Sequence, residues 1–110
     1  MRLTRRQLCV GVGLAAVGSA LPASPPQPVQ VDIRTFAFKP TQITIKAGQS
    51  IEWINHDFAP HTATDDDGDW DTGELGKNDR GTVHFDIPGR YAYFCAYHPH
   101  MRGEIVVTST

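Results

Sequence analysis

Cysteine is nearly absent from this chain: Cys9 and Cys95 are the only two in 110 residues. Cys9 lies in an amino-terminal stretch that reads as a removable leader, so the mature domain keeps one thiol and can form no intrachain disulfide. A disulfide-stapled scaffold is excluded. Clusters of Lys and Arg are also lacking. The chain has ten Lys and Arg against twelve Asp and Glu, and losing Arg2, Arg5 and Arg6 with the leader leaves seven against twelve, a formal balance of −5. That acidic balance excludes nucleic acid, whose phosphates require clustered positive charge. No sustained helical period follows the leader. The apolar run at residues 8–20 is too short to span a bilayer comfortably, so no stable membrane insertion of the mature domain is expected.

The leader has a basic start with Arg2, Arg5 and Arg6, then the apolar run, then small residues at Gly18-Ser19-Ala20 where a signal peptidase reads. Thr4-Arg5-Arg6-Gln7-Leu8 resembles the twin-arginine signal of bacterial proteins exported folded. Arg6-Gln7 before Cys9 lacks the small residues of a lipoprotein site. The expected organisation is an export signal over residues 1–23, a Pro-rich linker over 24–28 and one domain over 29–110, delivered to the periplasm.

From Val29 the pattern is that of strands. Val29, Val31 and Ile33 alternate with Gln30, Asp32 and Arg34, and the apolar parity then flips to Phe36 and Phe38, which predicts a bulge or break near Arg34 or Thr35. Ile43 and Ile45, then Ile51 and Trp53, continue on either side of the turn Ala47-Gly48-Gln49. Val83, Phe85 and Ile87 form another alternating run closed by Pro88-Gly89. Tyr91, Tyr93 and Cys95 share one face of the next, which turns the thiol inward, and residues 105–107 make the last. Strand-sized runs separated by turn signals predict an all-β Greek-key sandwich, with loops gathered at the ends of its sheets.

The chemistry concentrates in Cys95-Ala96-Tyr97-His98-Pro99-His100-Met101. A thiol, an imidazole three residues on and a thioether three further are donors that copper prefers, and a blue-copper site is two imidazoles and a thiolate with a weak axial Met. The second imidazole comes from elsewhere, and His61, after Pro60 in a loop following an apolar strand, is the candidate. His61, Cys95, His98 and Met101 are thus the expected metal ligands. His100 between two of them is expected to face solvent, as are His56 and His84. Zinc also accepts a Cys and two His, but a Met in the fourth place favours copper. A Cys-His nucleophile pair leaves His61 and Met101 unexplained. The acidic run at residues 65–71 places Gly68 where a calcium loop needs it but has Ala63 in the first ligand position, so it reads as a solvated turn.

These residues resemble the cupredoxins, the type 1 blue copper proteins, and among them the amicyanin- and plastocyanin-like members. The resemblance covers residues 29–108 and is carried by Phe36-Ala37-Phe38-Lys39-Pro40, Trp53-Ile54-Asn55, Pro60-His61, Pro88-Gly89-Arg90-Tyr91 and the short Cys95, His98, Met101 spacing. It implies a monomeric, non-enzymatic periplasmic carrier that passes single electrons between redox partner proteins through one Cu(I)/Cu(II) ion. A periplasmic copper carrier or chaperone without electron transfer is the alternative. Two positions depart from the family. Thr62 stands where many cupredoxins have an Asn that ties the two ligand loops together, which implies looser bracing, and His100 replaces the bulky apolar residue common before the Met.

Overall fold

Strand β1 (Val29–Arg34) buries Val31 and Ile33 completely and leaves Gln30 and Arg34 exposed, as the alternation requires. Residues 27–109 are described by the computed structural model; the leader expected over 1–23, with Cys9, lies outside them. The break after Arg34 is a two-residue hairpin turn. Thr35 and Phe36 both take left-handed backbone, with φ of 54° and 57°, and β2 (Ala37–Lys39) returns antiparallel with Ile33 opposite Phe38. The flip in apolar parity is therefore a reversal of the chain, which buries Phe38 and leaves Phe36 half exposed.

Six further strands follow: β3 (Gln42–Lys46), β4 (Gln49–Asn55), β5 (Thr64–Asp65), β6 (Arg80–Phe85), β7 (Gly89–Cys95) and β8 (His98–Thr108). They form two four-stranded sheets, ordered β2-β1-β4-β6 and β3-β8-β7-β5. Most neighbours are antiparallel, but β1 runs parallel to β4 and β3 parallel to β8. Between β3 and β4, Gly48 at φ 97° supplies the left-handed position of the turn. No helix among the described residues is long and apolar enough to cross a membrane.

The core lies between the sheets. Val31, Ile33, Ile51, Trp53 and Phe85 from one meet Ile45, Tyr93, Cys95, Ile105 and Val107 from the other. Each large side chain removed from water contributes about 1.5–3 kcal/mol. Trp53 donates its indole N–H to the Tyr93 hydroxyl at 3.3 Å and stacks on Trp70 at 5.4 Å. The Tyr93 ring lies across Gly103, where a Cβ would come within 2.5 Å of it, so only glycine fits. Burial pushes the Tyr93 hydroxyl up to about 12.

Two strand expectations need correction. Ile87 lies beyond β6 and is 71% exposed, because the chain is already turning toward Gly89. The last strand begins at His98, not at Ile105: Cys95 pairs directly with His98, with a register shift between Phe94 and Cys95. Its first four residues, His-Pro-His-Met, carry no apolar alternation that would mark a strand.

Candidate metal centre

His61 and the turn from β7 into β8 are distant in sequence but meet at one end of the sandwich. The approach to His61 is built by Asn55, the fully buried last residue of β4. Its Nδ2 donates to the carbonyls of Ala59 and Leu75, each at 2.9 Å, while its Oδ1 accepts from the Asp57 N–H at 2.9 Å. His61 itself exchanges both backbone hydrogen bonds with Leu75. The loop is thus fixed by polar groups of the fully buried Asn55 and His61, which makes them expensive to lose.

The second half is a hairpin turning at Ala96 and Tyr97. The alternation of β7 aims Cys95 inward, where it is fully buried and free, and β8 presents His98 half-buried, Pro99 and His100 exposed, and Met101 buried against the core. His100 faces solvent, as expected. His84 is exposed too, whereas His56 is half-buried and pairs with Asp32 at 2.9 Å.

Three of the four predicted donors converge. The Cys95 sulfur lies 3.7 Å from His61 Nδ1 and 3.6 Å from His98 Nδ1, and the donor atoms of all three residues fall within 4.8 Å of one another. One thiol and two imidazole nitrogens facing a common point, walled by a buried Met, fit copper by softness and number. The sulfur also receives the Thr62 backbone N–H at 3.3 Å.

The expected looseness at Thr62 is not found. Its Oγ1 accepts the Ala96 N–H at 2.8 Å and bonds Thr64 Oγ1 at 2.9 Å. A hydroxyl in this place joins the loops, because the hairpin brings its backbone within reach of the shorter side chain. Tyr97 adds an outer tie by donating to Glu74 Oε1 at 2.6 Å. That hydrogen bond is the main reason its hydroxyl holds its proton above the ordinary value.

Two residues of the site carry no mark in the sequence. Asp57, four positions before His61, accepts from His61 Nε2 at 2.9 Å through Oδ2. This places the imidazole proton on Nε2 and leaves Nδ1 with a lone pair toward the sulfur, as a carboxylate behind a ligating His commonly does. The same carboxylate accepts the backbone N–H groups of Thr35 and Phe36 at 2.8 and 2.9 Å. Burial pushes the Asp57 carboxyl up, but these two N–H groups and His61 outweigh it and hold it below the usual 3.8. Phe36 is the other. Its ring centroid lies 5.0 Å from that of His61 and 4.9 Å from that of His98, nearly perpendicular to both. Only the Asx residues at 55 and 57 hinted at a structured turn there.

The acidic run differs from a solvated turn at one end. Asp65 is buried in β5 and its carboxylate accepts the Asp69 N–H at 3.0 Å, Asp66 pairs with Arg102, and Asp66, Asp67 and Asp69 face solvent. A groove of about 270 Å³ lined by Trp70, Val83, Phe85 and Tyr91 among others includes none of the predicted ligands.

The family model for the cupredoxin-like domain matches residues 7–107. Amicyanin of Paracoccus versutus is 34% identical over 88 residues, covering 76% of this chain and 67% of that protein. Among solved structures, a reduced Cu(I) form of an amicyanin mutant at pH 4 superposes with a TM-score of 0.70 at 26% identity, covering 76% of this chain and 85% of the other. The copper-containing nitrite reductase from Thermus scotoductus gives 0.76 at 30% identity, covering 86% of this chain but 25% of the reductase.

Proposed function

Since the chain belongs to the cupredoxin-like family, we infer that it is an electron carrier in which His61, Cys95 and His98 would hold one copper ion as strong ligands and Met101 as a weak one. The observation that carries this reading is the convergence of His61 Nδ1 and His98 Nδ1 on the Cys95 sulfur. Copper bound there supplies a one-electron couple. The chain's own part is to keep the donors in place in both redox states. Asp57 fixes the plane and tautomer of His61 from behind, the Thr62 N–H holds the sulfur, and the Thr62 hydroxyl holds the start of the hairpin. Donors held by groups outside the coordination shell move little when the ion's charge changes, which keeps reorganisation small.

His98 is the less buried imidazole, and half-exposed Phe36 and Tyr97 and the exposed Phe58 lie on its own hairpin or on the loops beside the centre. That edge is where electrons leave. The partners are other redox proteins, met by a monomer in the periplasm after export by the twin-arginine route. The amicyanins and plastocyanins it resembles are electron carriers, and the match to a quarter of the nitrite reductase favours a carrier over an enzyme. The buried, heavily tied His61 favours retention of copper over delivery, against the copper-chaperone reading.

The test is optical. The Cu(II) protein should show an intense thiolate-to-copper band in the visible that Cys95→Ser abolishes and Met101→Gln preserves with a shifted potential. A colourless Cu(II) complex of the unaltered chain would overturn the reading.

A further inference from the structure

The turn between β1 and β2 is made by the wrong residues for its shape. Two-residue hairpin turns with both central residues left-handed ordinarily carry Asn-Gly or Asp-Gly. Here Thr35 and Phe36 hold those positions at φ 54° and 57°, where a side chain crowds the backbone, a β-branched or bulky one most of all. Such strain persists only where surrounding structure imposes it, and it concentrates at ligand clamps and active sites. Burial does not account for it. The core residue of this hairpin is Phe38, 1% exposed, whereas Phe36 is 48% exposed.

What imposes the turn is Asp57, whose two carboxylate oxygens take the Thr35 and Phe36 N–H groups. What the turn delivers is the Phe36 ring, standing at right angles to both imidazoles, an arrangement aromatic rings favour. The two imidazoles differ in their need for it. His61 is already held through Nε2 by Asp57. The His98 side chain has no polar contact among the described residues other than its Nδ1 approach to Cys95. We propose that the strained Thr35-Phe36 turn is a clamp in which Phe36 is a positioning residue for both ligand imidazoles, and chiefly for His98, setting their planes before any metal arrives. The inference rests on the copper reading of the centre. It goes further in predicting order in the metal-free rings.

The experiment replaces the turn with residues suited to its backbone, Thr35→Asn with Phe36→Gly, and compares Phe36→Leu and Phe36→Tyr in the full chain. Removing the strain should leave the metal-free protein unfolding at the same or a higher temperature. Its His98 imidazole should nevertheless lose its single orientation by NMR, with His61 changed less, and copper should pass to a chelator roughly tenfold faster. Phe36→Tyr should restore both properties, and Phe36→Leu should keep the fold with His98 partly disordered. Unchanged imidazoles and copper release in both the Asn-Gly and Leu variants would overturn the proposal. So would a sharp fall in unfolding temperature with the imidazoles unmoved, which would make Phe36 a merely structural residue. Should the unaltered chain take up no copper, the copper reading falls, and the metal-free imidazole comparison still decides the clamp.

Discussion

His61 and His98 approach the Cys95 sulfur to within 0.1 Å of the same distance, 3.7 and 3.6 Å, yet the loops that bring them are built by opposite means. The His61 loop, exposed at Phe58 and Pro60, is held from inside at the buried Asn55 and His61: the Asn55 side chain makes three hydrogen bonds, His61 two to Leu75 and one to Asp57. The hairpin that carries His98 has a two-residue turn and direct pairing of Cys95 with His98. Two ties at its turn, Thr62 to Ala96 and Glu74 to Tyr97, are lent by residues outside it. One imidazole is anchored, while the other is placed against that anchor. The asymmetry suits a carrier that must hold its ion firmly and still present one ligand edge to a partner.

Breaking the anchored side should cost the most. Asn55→Ala leaves the Ala59 carbonyl and the Asp57 N–H without their partner and takes one of two donors from the Leu75 carbonyl, and we expect a loss of about 2–3 kcal/mol in urea unfolding of the metal-free protein. Tyr97→Phe, which removes an exposed tie of the hairpin, should leave that stability unchanged. Equal losses from the two variants would erase the distinction between the loops. An intermediate effect is expected at the join. Thr62→Val keeps the shape but leaves the Ala96 N–H without its acceptor, costing about 1–2 kcal/mol. The NMR signals of residues 96–98 should broaden while those around His61 stay sharp. Broadening on both sides would mean that the hairpin braces the loop in return.

The smallest effect concerns the outer fastening of the His61 loop to β1, where His56 meets Asp32. The hydrogen bond from His56, helped by Gln30 and by the nearby Arg34, holds the Asp32 carboxyl below its ordinary 3.8. A depressed carboxylate contributes stability that is full above the unfolded value and is lost as pH falls through the folded one. Asp32→Asn should therefore lower stability slightly at neutral pH, where the contribution is full, and flatten the acid side of the profile below 3.8, where the two profiles converge. A profile that superposes on that of the unaltered chain would show that the fastening is inert.

Much of the sandwich was legible because half-buried strands write their faces as alternation, from Val29 to Ile33 and from Tyr91 to Cys95. The converging trio was legible because a thiol, an imidazole and a thioether at three-residue spacing form an unusual set. The supports were not. Asp57 is one of twelve acidic residues and acts through a carboxylate whose three partners lie on two separated segments. Phe36 reads as a strand residue, since nothing local announces a left-handed turn at Thr-Phe. The start of β8 was hidden because His98 pairs with Cys95 through backbone groups, which any side chain permits, and residues 99–101 fall in the register shift that follows. The looseness inferred at Thr62 failed because it compared donors on a side chain when the partner offered a backbone N–H to be accepted.

The parallel pairing of β3 with β8 sets an order of events. Gln42 lies opposite Glu104 and Lys46 opposite Thr108, so the second sheet cannot close until a segment more than half the chain away has been made. Contacts of such separation are slow to form, because loop closure must precede any reward from pairing. A ribosome releasing this chain in order would expose Ile43 and Ile45 for the whole interval before their partners emerge. Cys95 and His98 would be within copper's reach only near the end of it. The donors therefore become a single site after synthesis of β8, and a chain stalled earlier would carry an open β3 edge, prone to pair with a neighbour, and an unprotected thiol.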